Sequence, residues 1–420
     1  MKPKLLTTLP GYTAKQFAGD AIAGVTVAMV ALPLSIAIAI ASGASPATGL
    51  ITAIVGGFLI SALGGSRVQI GGPTGAFIVV VYGVIARHGY DGLVLATLMA
   101  GVILVIAGLL RAGNLIAYVP EPVVNGFTIG IAVIIASSQI KDLLGLTSGA
   151  MPAAFVPKLE ALWAARSSLN LAALAMGLAA LILIVALRRK FPRMPGLIVA
   201  LALISGLIAV LHLPVDTIAS RYGALPAGLP RPALPVITFA RLSTLLPSAL
   251  VIAFLAAIES LLSAMVADRM IGGSHRPNAE VLAQGWGNIG SALFGGLPVT
   301  GAIARTATNV RAGGTTPIAG IVHAGVILLV MLVAAPLAGY LAMPAMAALL
   351  LTTAWNMSEP HKWRGYWSAP NGDRALLLIT LTLTVLADLT VAIGAGVGLG
   401  LLLRMRDSQL RAADWQPPER

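Results

Sequence analysis

Hydrophobic positions dominate this chain and group into long segments separated by short polar turns. A helix that crosses a bilayer needs about 20 apolar residues, and the pattern predicts fourteen spans, several of them too short to cross alone. They lie near residues 20–41, 47–65, 74–87, 92–110, 119–140, 169–187, 194–212, 244–267, 279–295, 303–312, 316–340, 342–356, 374–387 and 389–404. The predicted fold is therefore an all-α polytopic membrane protein.

One apolar segment carries a run of helix breakers, in "QIGGPTGAFIVVV" at 69–81. Inside a helix, Gly costs about 1 kcal/mol and Pro about 3 kcal/mol relative to Ala. A membrane protein keeps such a break only where the backbone is shielded from lipid. The two halves of the chain share a weak sequence similarity. In the first half "SALGG" is followed by "PTGAF", and in the second "SALFGG" is followed by "VTGAI". Each pair opens an unusually short third segment of its half.

Seven spans per half is an odd number, so the second half is inverted relative to the first. The predicted fold class is thus fourteen transmembrane segments in a seven-plus-seven inverted repeat, with repeats at 1–241 and 242–405. Short extended stretches, "SRVQI" and "GLPV", precede half-helices 3 and 10. Interrupted segments at matching places in inverted halves indicate a transporter site near the membrane midplane.

The two half-helix N-termini form a predicted anion site. The first amides of a helix lack intrahelical partners, and the helix dipole adds positive charge there. Small residues let a ligand approach the backbone, and two threonines cap or contact it; these residues are Gly71, Gly72, Gly75, Gly301, Ala302, Thr74 and Thr300. Alternatively, the glycines serve close helix packing.

Two ionisable residues lie within predicted spans. Arg305 follows one turn into the second half-helix and would add a full positive charge beside the anion; alternatively it pairs structurally with a carboxylate. Glu259 is acidic in the middle of a strong span, with Ser263 one turn further on the same face. Low dielectric favours the neutral carboxyl, so Glu259 is the candidate proton-coupling residue. Glu259 with Ser263 could instead hold Na⁺, or Glu259 could pair with Arg305.

The hydropathy pattern also places a histidine and a proline within predicted spans. His323 lies in an apolar span and is interpreted as a core residue. Pro33 is expected to break the first span, which would place Leu34, Ser35 and Ala37 near the site.

Composition supports the membrane class, with 58% hydrophobic and only 10% charged residues. The net charge of +12 does not indicate a nucleic-acid partner, because 19 of 27 basic residues fall in segments on one side, including the cluster at 188–193, and seven on the other. This asymmetry puts both termini in the cytoplasm. We find no metal-ligand spacing, catalytic triad or phosphate loop, so the sequence predicts no metal, no cofactor and no enzyme. An anion channel stays an alternative, although two broken helices favour a carrier.

Four stretches between about Asp20 and Arg404 carry a family resemblance: "DAIAGVTVAMVALPLSIAIAIASG", "GGPTGAF", "AAIESLLSAMVAD" and "NAEVLAQGWGNIGSALFGGLPVTGAIARTATNVRAGGTTPIAGIVHA". In them the chain resembles the SulP family of anion transporters, which includes sulfate permeases, bicarbonate transporters and prestin. It implies a core domain (18–113 plus 244–341) and a gate domain (114–241 plus 342–405). It also implies elevator-like movement and a homodimer. Its anion-site positions are Gly75, Ala76, Phe77, Ala304, Arg305 and Thr306, with Glu259 on span 8.

Two departures from the family pattern narrow the expectation. Leu34 follows Pro33 where sulfate-type members have Gln, and Ile38 replaces an aromatic residue, which favours bicarbonate-like or dicarboxylate-like branches. Residues 406–420 are expected to form a cytoplasmic tail, without the family's usual STAS domain. The sequence therefore predicts a transporter of the bacterial inner membrane. It carries a small anion, such as fumarate, bicarbonate or sulfate, with H⁺ or Na⁺.

Overall fold

The computed structural model describes residues 2–114, 120–149, 151–191, 195–387, 391, 394–396 and 398–400, and over these the chain is mostly helical. In chain order the helices are α1 (Lys4–Thr8), α2 (Ala14–Ala41), α3 (Pro46–Ile51), α4 (Gly57–Leu63), α5 (Phe77–Leu109), α6 (Glu121–Leu143), α7 (Phe155–Ala164), α8 (Leu171–Lys190), α9 (Gly196–Val210), α10 (Ile218–Tyr222), α11 (Phe239–Ile271), α12 (Pro277–Leu293), α13 (Ile303–Arg311), α14 (Ile318–Ala338), α15 (Met343–Met357), α16 (Trp363–Ser368) and α17 (Asn371–Leu386). Arg193 and the predicted tail at 406–420 lie outside the described residues.

Seven helical stretches of the described chain are long and apolar enough to cross a membrane. They are Ala14–Ala41, Pro46–Leu63, Phe77–Leu109, Glu121–Leu143, Leu171–Lys190, Phe239–Ile271 and Ile318–Ala338. This apolar, helical character agrees with a polytopic membrane protein, whereas the fourteen-span inverted repeat stays a prediction. The two predicted spans 74–87 and 92–110 correspond to the two helical parts of α5, which meet at a kink where Gly89 takes non-helical angles (φ 70°, ψ 177°).

The expected break at Pro33 is wrong, because α2 continues through this residue to Ala41. Proline removes one backbone hydrogen bond and crowds the preceding turn, and the buried surroundings of α2 accommodate this change without ending the helix. The helix begins at a capping box, in which Thr13 accepts from the amide of Gln16 and the Gln16 side chain accepts from the amide of Thr13.

The described chain divides into two compact units. One comprises the described residues of Met1–Ala117 and Pro226–Ala334, and the other those of Tyr118–Leu225 and Ala335–Ala413. In the first unit α5 packs along α12. Their contact depends on glycines: a Cβ on Gly101 would lie 2.8 Å from the carbonyl oxygen of Gly285. In the second unit α6 packs against α15 and α17, and α10 is tied to the start of α15 by a bridge between Thr217 and Ala342.

Two short strands pair with each other inside the first unit. The strands β1 (Gly71–Gly72) and β2 (Thr300–Gly301) pair antiparallel, with Gly71 opposite Gly301 and Gly72 opposite Thr300. β1 leads into α5 and β2 into α13, so the pairing brings the N-termini of these two helices together. Every strand residue is buried, and the strand hydrogen bonds satisfy backbone groups that apolar surroundings would otherwise leave unpaired.

Candidate functional site

The N-termini of α5 and α13 offer unsatisfied backbone donors. Among the described residues, the first amide of α13 to bond a backbone carbonyl is that of Thr306, which donates to Ala302 at 2.9 Å. At α5 the amides of Phe77 and Ile78 bond back to the carbonyls of Thr74 and Gly75 (3.2 and 3.1 Å). The amide of Ala302 donates to the carbonyl of Ile70 (2.9 Å), whereas those of Gly75 and Ala76 and of the first three α13 residues, 303–305, bond no backbone carbonyl of the described chain. Together with two helix dipoles, they favour negative charge at this point.

The predicted half-helix residues lie at this junction and are mostly buried. Thr74, Gly75, Ala76, Phe77, Ala302 and Thr306 are buried, and Ala304 is exposed. The backbone of Ala304 therefore lies on the accessible side of the α13 N-terminus, next to the buried side chain of Arg305. An ion that reaches this turn of α13 meets backbone and a small methyl group rather than a bulky side chain.

The Arg305 side chain is 2% exposed and joins three parts of the first unit. Its Nη2 donates to the hydroxyl of Ser35 on α2 (3.1 Å) and to the carbonyl oxygen of Pro73 (3.0 Å). Its Nε and Nη1 are buried and have no hydrogen-bond partner. Ser35 is thus brought to the site, whereas the neighbouring Leu34 is half-buried. The guanidinium therefore retains two nitrogens, which carry three N–H groups, without a partner beside the strand pair.

The Glu259 carboxylate of α11 meets the start of the first half-helix. Its Oε2 accepts a hydrogen bond of 2.6 Å from the hydroxyl of Thr74, and the side chain is partly exposed. In the described chain no ion pair joins Glu259 to Arg305 within 4.0 Å, so the predicted structural pairing of these two residues is not formed in this structure. The Glu259 carboxylate instead bonds the Thr74 hydroxyl, and the Arg305 guanidinium bonds the carbonyl oxygen of the preceding residue, Pro73.

Ser263, one turn beyond Glu259, is engaged elsewhere. Its hydroxyl donates to Oγ1 of Thr306 (3.1 Å), which also accepts from the amide of Ile70 (3.1 Å). Thr300 in turn donates to the carbonyl oxygen of Ala256 on α11 (2.8 Å). These three bonds join α11 to β2 directly and, through Thr306 of α13, to the residue before β1. Over the described residues, no group of three or more His, Cys, Asp or Glu side chains could hold a metal ion.

Sequence reasoning missed a fully buried carboxylate, that of Glu280 on α12. It is fully buried and accepts five hydrogen bonds, from the amides of Gly65 and Ser66 and the side chains of Gln69, Ser260 and Gln284. A signal was available: Glu280, Gln284 and Asn288 recur every four residues in "NAEVLAQGWGN", which puts three polar side chains on one helix face. His323 is fully buried, and neither ring nitrogen has a hydrogen-bond partner.

Comparison with known proteins identifies relatives over nearly the whole chain. Residues 17–380 match the sulfate permease family. The chain is 43% identical over 372 residues to the putative sulfate transporter YvdB of Bacillus subtilis, covering 88% of this chain and 70% of that protein. It is 32% identical over 341 residues to the bicarbonate transporter BicA of Picosynechococcus, covering 79% of this chain and 60% of that protein.

Two solved structures share the fold. The transmembrane domain of a cyanobacterial bicarbonate transporter BicA superposes with a TM-score of 0.82 at 32% identity, covering 92% of this chain and 99% of that one. Murine Solute Carrier 26 family member A9, in an inward-facing state, superposes with a TM-score of 0.86 at 18% identity, covering 96% and 71%. At that identity the second likeness concerns the fold alone.

Proposed function

The chain belongs to the sulfate permease family of anion transporters, as its sequence resemblance predicted, and we propose that it is a secondary active carrier that moves a small anion together with protons. The anion binds between the N-termini of α5 and α13, beside Arg305. The candidate substrates are sulfate, bicarbonate and small dicarboxylates such as fumarate. The carrier resides in the bacterial inner membrane with both termini in the cytoplasm, and it forms a homodimer.

The observation that carries this proposal is the state of Arg305. A guanidinium that served only packing would be expected to pair with a carboxylate, since buried charge is costly without a partner. Here the side chain is buried, two of its nitrogen atoms have no partner, and it bonds only neutral groups. Its charge and its N–H donors are therefore available to an anion that also contacts the free amides of two helix ends.

The position of Glu259 supports proton coupling. The Thr74 hydroxyl belongs to the first half-helix and donates to this carboxylate, so the anion and the proton would act on the same segment. An ionised carboxylate near the site repels an incoming anion, and protonation removes that repulsion. Anion binding and proton binding then favour each other, which is the requirement for symport.

Transport by an elevator-like movement is the proposed cycle. The core domain (18–113 plus 244–341) would move against the gate domain (114–241 plus 342–405). What supports this is that both strands, Arg305 and Glu259 lie in a single compact unit. The complete anion site could therefore move as one rigid body, with its residues keeping their mutual contacts.

A sodium-coupled bicarbonate carrier is the second candidate. The named bicarbonate transporters among the relatives favour it, as do Leu34 and Ile38 in the first span. The oxygens of Glu259 and Thr74 are the hard ligands that Na⁺ prefers. Ser263 would have to exchange its bond to Thr306 to join them.

The test is uptake of labelled sulfate, bicarbonate, fumarate and succinate into proteoliposomes, with lumenal pH recorded and Na⁺ present or absent. Symport with protons predicts saturable uptake of at least one anion, driven by an inward proton gradient without Na⁺. A strict Na⁺ requirement would support the second candidate instead. Uptake that neither saturates nor responds to either gradient would contradict both and indicate a channel. Glu259→Gln should keep anion binding and lose the proton-driven component.

A further inference from the structure

Glu280 lies outside the anion site, but its hydrogen bonds reach both the chain that leads into β1 and the helix α11 that carries Glu259. Its Oε2 accepts from the amides of Gly65 (2.8 Å) and Ser66 (3.0 Å), in the loop that follows α4. Its Oε1 accepts from Gln69 (2.9 Å), Ser260 (3.0 Å) and Gln284 (2.8 Å). Five donors converge on two oxygens, so only a carboxylate suits this place: the amide of a glutamine would present N–H groups to other donors.

Three of these groups form a closed triangle. The Nε2 of Gln69 donates both to Glu280 and to the hydroxyl of Ser260 (2.8 Å), and Ser260 donates to Glu280. Gln69 belongs to the segment that enters β1. Ser260 belongs to α11 and directly follows Glu259. The triangle therefore fixes the chain just before the first half-helix against the helix that carries the proposed coupling residue.

The space around the triangle leaves little freedom. A Cβ on Gly301 would lie 1.8 Å from Nε2 of Gln69, so β2 closes directly over this side chain. On the other side, the Glu280 carboxylate lies 3.2 Å from the place a Cβ of Gly64 would take. Gln69, Ser260 and Glu280 are all buried, so their positions depend on one another rather than on solvent.

We propose that Glu280 is a positioning residue that holds Thr74 and Glu259 in contact, by fixing Gln69 on one side and Ser260 on the other. The consequence for transport rests on the proposed function, since it is there that the Thr74–Glu259 contact links the anion to the proton. The geometric statement does not depend on transport. Without the carboxylate, Gln69 and Ser260 lose their shared acceptor and keep only the bond between them, so the 2.6 Å hydrogen bond between Thr74 and Glu259 should be held less tightly.

The direct test measures the distance between positions 74 and 259. The chain has no native cysteine, so a Thr74→Cys/Glu259→Cys variant carries two thiols in chosen places. A short bifunctional methanethiosulfonate joins them, each thiol displacing one methanesulfinate, and the joined fraction is read by intact mass, since a bridged protein carries one linker and a doubly modified one carries two. Adding Glu280→Gln should slow crosslinking about fivefold, the population change that one lost hydrogen bond brings. Glu160→Gln, which neutralises an exposed carboxylate, should change nothing.

An unchanged crosslinking rate in Glu280→Gln, with a monodisperse elution profile, would overturn the proposal. If that variant aggregates, Ser260→Ala removes only the α11 arm of the triangle and should also slow the reaction; an unchanged rate there overturns the proposal equally.

A double-mutant cycle of anion affinity in the cysteine-free protein adds the functional readout. Thr74→Val should weaken binding less in a Glu280→Gln background than in the wild type, because the contact is already loosened; strict additivity would contradict positioning. If the wild type transports nothing, the proposed function fails while crosslinking still decides this proposal.

Discussion

Replacing Gly72 by alanine should weaken anion binding without unfolding the protein. A Cβ at this position would lie 1.8 Å from Nη1 of Arg305, whereas nonbonded atoms approach to about 3.5 Å. Nη1 must therefore move away from the strand, so its N–H groups are displaced from their place beside β1, whereas Nη2, which donates to Ser35 and Pro73, lies 3.7 Å from that Cβ. The moving group is the end of a flexible side chain, so the backbone of β1 can remain in place.

The size of the effect follows from the bonds that an anion would lose. A hydrogen bond to a charged group contributes about 1.5–3 kcal/mol, and 1.4 kcal/mol corresponds to a tenfold change in affinity. Gly72→Ala should therefore lower the affinity for the anion about 10- to 100-fold. The matched control is Gly325→Ala on α14, where an added Cβ meets nothing within 4 Å and alanine is the better helix former.

The assay is anion-dependent thermal stabilisation of the purified protein, since a ligand at 100 times its dissociation constant stabilises the fold by about 2.7 kcal/mol. The midpoint of the stabilisation curve should move to higher anion concentration in Gly72→Ala and stay fixed in Gly325→Ala. Equal midpoints in Gly72→Ala and the wild type, at equal thermal stability without ligand, would refute the placement of the anion beside Arg305.

Two further predictions concern titrating groups. Glu259→Gln should make uptake independent of the proton gradient while the anion concentration for half-maximal uptake changes less than tenfold, as measured in proteoliposomes at two lumenal pH values; unchanged gradient dependence would contradict its coupling role. Burial and the hydrogen bond donated to Asp20 (2.8 Å) raise the pKa of Tyr12 to about 12, so the folded state retains a proton that the unfolded chain loses near pH 10. Stability should therefore fall between about pH 10 and pH 12, and Tyr12→Phe should flatten that fall in thermal denaturation curves.

Local chemistry explains which features of the site were predictable. The helix breakers at 71–75 lie inside an apolar segment and predict an interrupted helix there. Such an interruption occurs within a membrane only where protein shields the backbone from lipid, so it also indicates a site. Arg305 and Glu259 were visible as charges in otherwise apolar runs. Their actual partners were not: Arg305 bonds Ser35, 270 residues away in the chain, and no local pattern encodes such a pairing.

Other features needed the tertiary structure. A proline predicts a break through its missing donor, yet α2 continues through Pro33, which is buried within it. Gln69 and Glu280 meet across 211 residues, and each looked like an ordinary polar residue near a span end. The separation of the predicted spans 74–87 and 92–110, by contrast, agrees with α5, whose helical angles are interrupted between them at Gly89.

Binding of sulfate, bicarbonate and fumarate to purified Arg305→Ala, compared with Arg311→Ala, tests the central claim most directly. Both residues belong to α13, but Arg305 is buried beside the strand pair and Arg311 is exposed at the end of the helix. The account predicts that the anion bound by the wild type is bound as tightly by Arg311→Ala and at least tenfold more weakly by Arg305→Ala, since a charged hydrogen bond contributes about 1.5–3 kcal/mol. Equal affinity in Arg305→Ala and the wild type would contradict it.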